Sequence, residues 1–448
     1  MPEALDALTK SLLQAATKAG ADAADAMAIT ASSVSIEVRG GALEQAERSE
    51  GTDIGLRVFV GHCSANVSAS DTSSRTIEEM AERAVAMARE APEDPHSGLA
   101  DPDQLSARRD AEGLELCDPT PEPSPETLQD DAARAEAAAL AVKGVSQVQS
   151  AGAGYGAQKI YLAATNGFEG GYARSERGLS CVAIAGSGTG MERDYDGDSR
   201  IFQTDLRDAG DIGARAGERA LARLGARKPP TGSYPVLFDE RIAASLIGHL
   251  LGAINGQAIS RGASFLRDAM GEQVLPEGLS LIEDPSRIRA TGSRPFDAEG
   301  LPTQQRAIVD KGILQGWTLD LATARKLALA PTGNAARGPS SGPQPSNWNI
   351  ALTQGEASRD DLIAEMGTGL LVTSMIGSTI NPNTGDYSRG ASGLWVENGE
   401  ITHAINECTI AGNLRDMLRA MIPANDARTH LSRVVPSLLV PGMTLAGA

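Results

Sequence analysis

Between Tyr234 and Asp268 the chain reads YPVLFDERIAASLIGHLLGAINGQAISRGASFLRD, and this stretch narrows what the rest can fold into. Its short apolar run, Pro235 to Phe238, predicts a strand. Asp239 then offers a carboxylate as N-cap, and Ile242, Ala243, Leu246, Ile247, Leu250 and Ile254 recur at helical spacing. So broad an apolar face must be buried along a helix spanning 239–255, for which Gly256 is the expected stop.

The chain on either side divides at Lys228–Ser233 (KPPTGS), a stiff Pro-Pro followed by a flexible glycine. With 448 residues there is material for two substantial cores, expected over 1–230 and 231–448. The first part opens with an amphipathic helix over 4–19, continues in β-branched alternating strands, and reaches a second helix over 76–90. From about 91 to 125 the composition turns to Pro, Asp and Glu, which predicts a solvated acidic loop in which Leu114 and Leu116 dock locally. A second round follows: an Ala-rich helix over 124–143, a run of strands, and a helix over 210–223. The order suggests a duplicated helix–strands–helix unit, and hence an α+β fold. Beyond the organising helix, short strands are punctuated by Gly, Pro and Asn. The dense loop PTGNAARGPSSGPQPSN covers 331–347, and Asn398-Gly399 marks a type I′ hairpin turn.

Net charge is −18, so no basic surface is available to offset phosphate repulsion and a nucleic-acid partner is not expected. Aromatic residues make up only 3% of the chain, which leaves the cores to Ala, Val, Ile and Leu. No apolar run approaches the roughly 18 residues of a membrane span, and the N-terminus lacks the cationic and apolar regions of an export signal. The four cysteines, Cys63, Cys117, Cys181 and Cys408, form no CxxC pair and read as free thiols of a cytoplasmic protein.

Chemical motifs are sparse. There is no GxSxG elbow, and the adjacent His62 and Cys63 would point to opposite faces of a strand. Asp194, Asp196 and Asp198 lack the ligand series of a calcium loop and are flanked by Arg193 and Arg200. His403 and Cys408 are close in sequence, but a strand histidine and a buried thiol are commonly packing residues. The polar cluster from Asn383 to Gly390 has two readings: a glycine-bounded turn, or a contact for a partner or an extended peptide built from Asp386, Tyr387 and Arg389.

Several stretches carry a family resemblance along nearly the whole chain: NGFEG (166–170), GMERDYD (190–196), SRPFDAEG (293–300), LDLATARKL with PTGNA (319–335), GDYSRGASGLWVENGEI (385–401) and TIAGNLRDML (409–418). With the organising helix they resemble the TldE/PmbA branch of the TldD/PmbA family of metallopeptidase components. The resemblance implies an α+β N-terminal domain and a β-rich C-terminal domain. In the sister TldD branch the corresponding helix carries HExxxH, two zinc-binding histidines and a glutamate that polarises water. Anchored on Ser264 to Gly271, the histidine positions fall on Ile247 and Gly252 and the glutamate position on Gly248, with His249 out of register. The resemblance therefore implies no catalytic or metal-binding residue and no cofactor in this chain, and zinc in a partner subunit. That partner would be a TldD-type zinc metallopeptidase subunit in a heterodimer, with a homodimer when the chain is alone, and the substrate an unfolded peptide, entering as an added strand. Two other readings stay open: a peptidase with an unorthodox site drawn from His249, His403 and Cys408, and a homodimeric peptide-binding module.

Overall fold

The structure is a computed structural model that describes residues 4–447, so residues 1–3 of the expected N-terminal amphipathic stretch and Ala448 lie outside the described residues. Helix α1 (Leu5–Ala19), strands β1 (Ala23–Arg39), β2 (Ala42–Val60) and β3 (Cys63–Ala69), and helix α2 (Ser74–Glu90) make one unit. Helix α3 (Pro125–Ala141), strands β4 (Val145–Ala164), β5 (Glu169–Ala185) and β6 (Glu192–Arg200), and helix α4 (Ala209–Ala222) repeat it. All six strands join in one antiparallel sheet ordered β3-β2-β1-β4-β5-β6. The two units meet at the β1–β4 pair, from Asp25 opposite Ala164 to Val38 opposite Ala151. The sheet thus realises the duplication suggested by the order of elements.

Alternation along β1 gives each face its task. Ala24, Ala26 and Ala28 pack with Leu8 and Leu12 of α1 and Met80 and Ala84 of α2. Further along, Val34, Ile36 and Val38 pack with Ala132 and Ala135 of α3 and Ile212 and Ala216 of α4. Small residues let the helices approach closely: a Cβ on Gly213 would lie 1.9 Å from the carbonyl oxygen of Ala135. Asp25 and Met27 face the other way, against Arg337 and Phe296 of the C-terminal half.

In that half β7 (Gly232–Phe238) leads straight into α5 (Glu240–Ala253), and Asp239 caps the helix by accepting from Arg241 N at 3.2 Å. Gly256 is not the stop it was expected to be. The helix closes at Ile254, and Asn255 caps a further turn, α6 (Gly256–Ser260). Glycine is required at 256 for packing, since a Cβ there would meet Thr323 Oγ1 at 2.6 Å. Short elements follow: β8 (Leu281–Glu283), β9 (Arg306–Asp310), β10 (Ile313–Leu314), α7 (Leu321–Leu327), β11 (Ala335–Ala336), β12 (Gln344–Pro345), β13 (Ile350–Leu352) and α8 (Arg359–Met366). Then come β14 (Gly369–Ile380), β15 (Asp386–Glu397), β16 (Glu400–Asn413), α9 (Leu414–Ala420), β17 (Ile422–Pro423), β18 (Arg433–Val434) and β19 (Leu438–Ala446). One small sheet runs β10-β9-β8-β13-β18. A second is the two-stranded pair β11-β12, and the third runs β16-β15-β14-β7-β19-β17, in which β16 also pairs with β19 and closes the strands from β16 to β19 into a barrel. Asn398 (φ 52°) and Gly399 (φ 80°) form the predicted two-residue turn between β15 and β16.

Leu246, Ile247 and Leu250 of α5 pack with Val236, Phe238, Leu370, Val372, Trp395 and Ile410 of the barrel. By area these three side chains contribute roughly 5–9 kcal/mol, so packing alone fixes where the helix sits. No helix among the described residues is long and apolar enough to cross a membrane.

The acidic segment over 91–125 is irregular, but it is not a solvated tether. Leu114 and Leu116 are buried with Ile201, and Ala100 with Leu301 and Leu321. Arg325 donates to the carbonyls of His96 and Gly98 at 3.2 Å and of Leu99 at 2.6 Å, so the segment straps the two halves together. Beneath it lies a buried ionic joint. Asp25 accepts from Arg57 Nε at 2.9 Å and, on its other oxygen, from Arg337 of the 331–347 loop. Burial pushes the Asp25 carboxyl up, but Arg337 and Arg57 beside it prevail and hold it below the ordinary range.

Candidate functional site

Helix α5 presents two different faces. Ile247 is fully buried in the core, whereas Gly252 is exposed and a Cβ on it would meet nothing within 4 Å. At about 100° per residue these two positions point roughly 140° apart. Gly248 is half-buried, and the nearest atom to a Cβ there would be Arg433 Nη1 at 3.5 Å. Ser245, Gly248, His249 and Gly252 share one arc of roughly 100° on the side away from the core.

Opposite that arc stands β15. Strand alternation separates the three residues of the sequence-derived cluster: Asp386 is exposed, while Tyr387 is 2% exposed and packs inward. Asp386 accepts from Thr384 Oγ1 at 2.6 Å and from Asn413 Nδ2 at 3.2 Å, and does not pair with Arg389. Tyr387 donates to Met375 Sδ at 3.3 Å, and its ring stands edge-on to that of His249, 5.9 Å between centroids. A buried tyrosine cannot itself line an exposed contact, so the contact reading is left to Asp386 on one face and Arg389 on the other. What the structure does bring together is Tyr387, Arg389 and His249. Burial pushes the His249 pKa down and the Arg389 guanidinium pushes it further, which favours the neutral imidazole. His249 Nε2, Arg389 Nε and Ser245 Oγ are each shut off from solvent with no hydrogen-bond partner among the described residues. Sequence reasoning singled out His249 and Arg389 separately and passed over Ser245 and Arg433. The spacing of Ser245 and His249, four apart on one helix, was the available signal.

Zinc takes imidazole, thiolate or carboxylate ligands, usually in a tetrahedron. Ile247, Gly248 and Gly252 supply none of these, and the one histidine on the helix faces a guanidinium that would repel a metal cation. Cys408 donates to Ala391 O at 3.2 Å, with its pKa pushed up to about 11 by burial. His403 Nδ1 lies 2.9 Å from Thr402 Oγ1. Among the described residues no three His, Cys, Asp or Glu side chains gather where they could hold a metal ion. The side chains present do not fit zinc.

The aspartates of β6 are matched by cations. Asp194 meets Arg241 at 3.0 Å, Asp196 meets Arg219 at 2.6 Å and Arg207 at 2.7 Å, and Asp198 meets Arg200 at 2.9 Å; the His430 imidazole, its pKa pushed down by burial, lies 3.3 Å from Asp198 without adding a matched charge. They tie the sheet to the N-terminal end of α5 and to the segment around His430. A groove of about 530 Å³ opens beside them, with Gly154, Gly178, Asp198, Arg241 and Arg428 in its lining.

Comparison with known proteins places this geometry in context. Family models described as PmbA/TldA metallopeptidase domain 1, central domain and C-terminal domain match residues 24–88, 118–224 and 231–447. The chain is 38% identical over 430 residues to the metalloprotease PmbA of Escherichia coli O157:H7, covering 95% of this chain and 92% of that one. It is 37% identical over 443 residues to a metalloprotease PmbA homologue of Haemophilus influenzae, covering 97% and 94%. Among solved structures, a protein of Bacteroides thetaiotaomicron superposes with a TM-score of 0.91 at 27% identity, covering 99% of each chain. TldE from Thermococcus kodakarensis has the same fold, with a TM-score of 0.85 at 19% identity over 98% of this chain and 100% of that one.

Proposed function

The chain belongs to the PmbA/TldD metallopeptidase family, and we propose that within it this protein is the subunit without zinc in a two-chain peptidase. A TldD-type partner would supply HExxxH, the metal and the hydrolysis, and this chain would close the chamber and hold unfolded peptide near it. The observation that carries this reading is the character of α5: where two imidazoles and a carboxylate would be needed, it has Ile247 in the apolar core and glycine at 248 and 252. Packing holds the helix in place without a metal, as expected of a fold kept for its shape after its chemistry has gone. An extended peptide fits such a role, because backbone hydrogen bonding to a strand edge is indifferent to sequence.

The test compares this chain alone, a TldD-type partner alone, and the two co-purified, for zinc content and for cleavage of an unstructured peptide. The reading expects this chain to be metal-free and inert and the pair to be active with one zinc per heterodimer. Chelator-sensitive cleavage by this chain alone would sink it, as would failure of the two chains to co-purify.

A further inference from the structure

We propose that the open face of α5 is a carboxylate-binding site, formed by Ser245, His249 and Arg389 with Arg433 at its rim, and that its ligand is the C-terminal carboxylate of an extended peptide. The choice of peptide rests on the subunit reading above; the site itself rests on the following geometry.

In a protein of net charge −18, Arg389 and Arg433 make no ion pair among the described residues. Arg241, Arg219 and Arg306, by contrast, each meet a carboxylate within 3.0 Å. Arg389 is also half-buried, and its Nε has neither solvent nor acceptor. Buried polar groups are nearly always satisfied, so an orphaned hydroxyl and an orphaned imidazole nitrogen one helical turn apart, with the Arg389 guanidinium acting on that imidazole and itself holding an orphaned nitrogen, point to a group that completes them. That group must accept hydrogen bonds from a planar cation and from neutral donors, which describes a carboxylate. His249 can donate from Nε2 in one tautomer, and Ser245 can donate from Oγ.

Access is open at Gly252, at the end of the arc, whereas the three orphaned atoms are covered and are uncovered by side-chain rotation as a ligand enters. Gly248 and Gly252 lie one turn apart on the same arc, and the space that a side chain would fill over Gly252 is empty. A main chain can therefore lie against the helix backbone there, its terminal carboxylate reaching Arg389. The core face of α5, held by Leu246, Ile247 and Leu250, does not have to move for this to happen.

The experiment uses the full chain without any partner, and a fluorescein-labelled, unstructured Ala-Gly-Ser decapeptide in three forms: free acid, C-terminal amide, and amide with one internal Asp. Binding is read by anisotropy. A carboxylate paired with a guanidinium and two further donors is expected to favour the free acid over the amide by about tenfold or more. Arg389→Gln should bring that ratio close to one. Gly252→Leu, on an exposed face where leucine is the better helix former, should remove binding of the free acid while leaving the circular dichroism spectrum unchanged. The proposal is overturned if wild type does not bind the free acid or does not distinguish it from the amide. Undiminished acid preference in both variants also overturns it. Binding of the internal-Asp amide as tightly as the free acid overturns the assignment to a peptide terminus. Because no partner enters the assay, an inactive two-chain preparation would count against the subunit reading alone.

Discussion

Replacing Asp25 by Asn tests whether the two halves of the chain are joined by charge. Asp25 is 3% exposed at its side chain and serves two cations at once, Arg57 from the adjacent strand β2 and Arg337 from the C-terminal half, whose side chains are 8% and 3% exposed. Arg337 already has two nitrogens, Nε and Nη2, without partners, so it has no other acceptor to turn to. Of these two guanidiniums, the neighbouring carboxylate Glu299 pairs with Arg57, at 3.8 Å, and not with Arg337. Asp25→Asn therefore leaves two guanidiniums buried side by side, and removing one member of a buried pair costs about 3–5 kcal/mol. Ionisation of Glu299 toward Arg57 would hold the loss to the lower part of that range. Arg337→Met leaves Asp25 and Arg57 matched and should cost under about 2 kcal/mol. In the double variant Arg57 retains Glu299 and no second cation opposes it, so the total should fall short of the sum by about 1–3 kcal/mol. The assay is urea unfolding, followed by circular dichroism for the whole chain and by fluorescence of Trp317, Trp348 and Trp395, all of which lie in the C-terminal half. At a slope of about 3 kcal/mol/M the single Asn variant should move the midpoint by roughly 1–2 M. A loss below about 1 kcal/mol, or strict additivity in the cycle, would refute the reasoning.

The same joint predicts a pH dependence. Burial is the main force that pushes the carboxyls of Glu299 and Asp297 above the ordinary range; Asp297 and Asp320 add to the Glu299 shift as like charges, and Asp320 adds to that of Asp297. Between the ordinary value and the raised one the folded chain holds protons that the unfolded chain has released, so stability should fall as pH rises from about 5, and Glu299→Gln should flatten that slope. Asp25, held low, contributes only at the acid end and leaves this window unaffected. Urea midpoints at several pH values decide it; a rising midpoint or an unchanged slope in the variant contradicts the assignment. For the thiols, Cys117 is exposed and Cys63 half-buried, whereas burial pushes Cys181 up to about 12 and Cys408 up to about 11. A colorimetric thiol reagent should label Cys117 and Cys63 in the folded chain and the other two only after denaturation; native labelling of Cys181 would count against the packing under α3.

Local features of this fold could be read from the chain because their causes are local. Asp239 caps α5 through its own side chain, and Asn398-Gly399 turns because both residues adopt positive φ. The duplicated unit followed from the order of its elements alone. Barrel closure could not be read, since it depends on Ile410 of β16 meeting Leu445 of β19 and no short-range pattern encodes that register. Gly256 was misread for a related reason: its lack of a Cβ serves Thr323, far along the chain, and not a helix end. Arg337 sits in a segment that reads as a flexible Gly/Pro loop, yet its partner Asp25 is 312 residues away. Of the candidate site, the identities of residues 247, 248 and 252 can be read directly from the chain, but the faces of α5 to which they point cannot. The meeting of His249 with Tyr387 and Arg389 was not legible either, because it arises only when β15 is folded against α5.

The stretches that carry the family resemblance acquire a different meaning once they are placed. Phe168 of NGFEG stands edge-on to Phe296 of SRPFDAEG, 4.9 Å between centroids, across the boundary between the two halves. Gly300 of the second stretch must be glycine, because a Cβ there would lie 2.6 Å from the Phe168 ring. Asp297 accepts from Ala335 N of PTGNA at 3.0 Å, and Glu299 accepts from Leu321 N of LDLATARKL at 2.8 Å. Asp194 of GMERDYD holds Arg241 on α5. In each of these contacts the polar groups are engaged with backbone N–H groups or an arginine of another segment. They join the duplicated sheet to the C-terminal half, where the irregular segment around Phe296 covers the sheet's second face. The stretches of resemblance are thus concentrated where the two halves meet, and α5 is reached from that junction through Arg241.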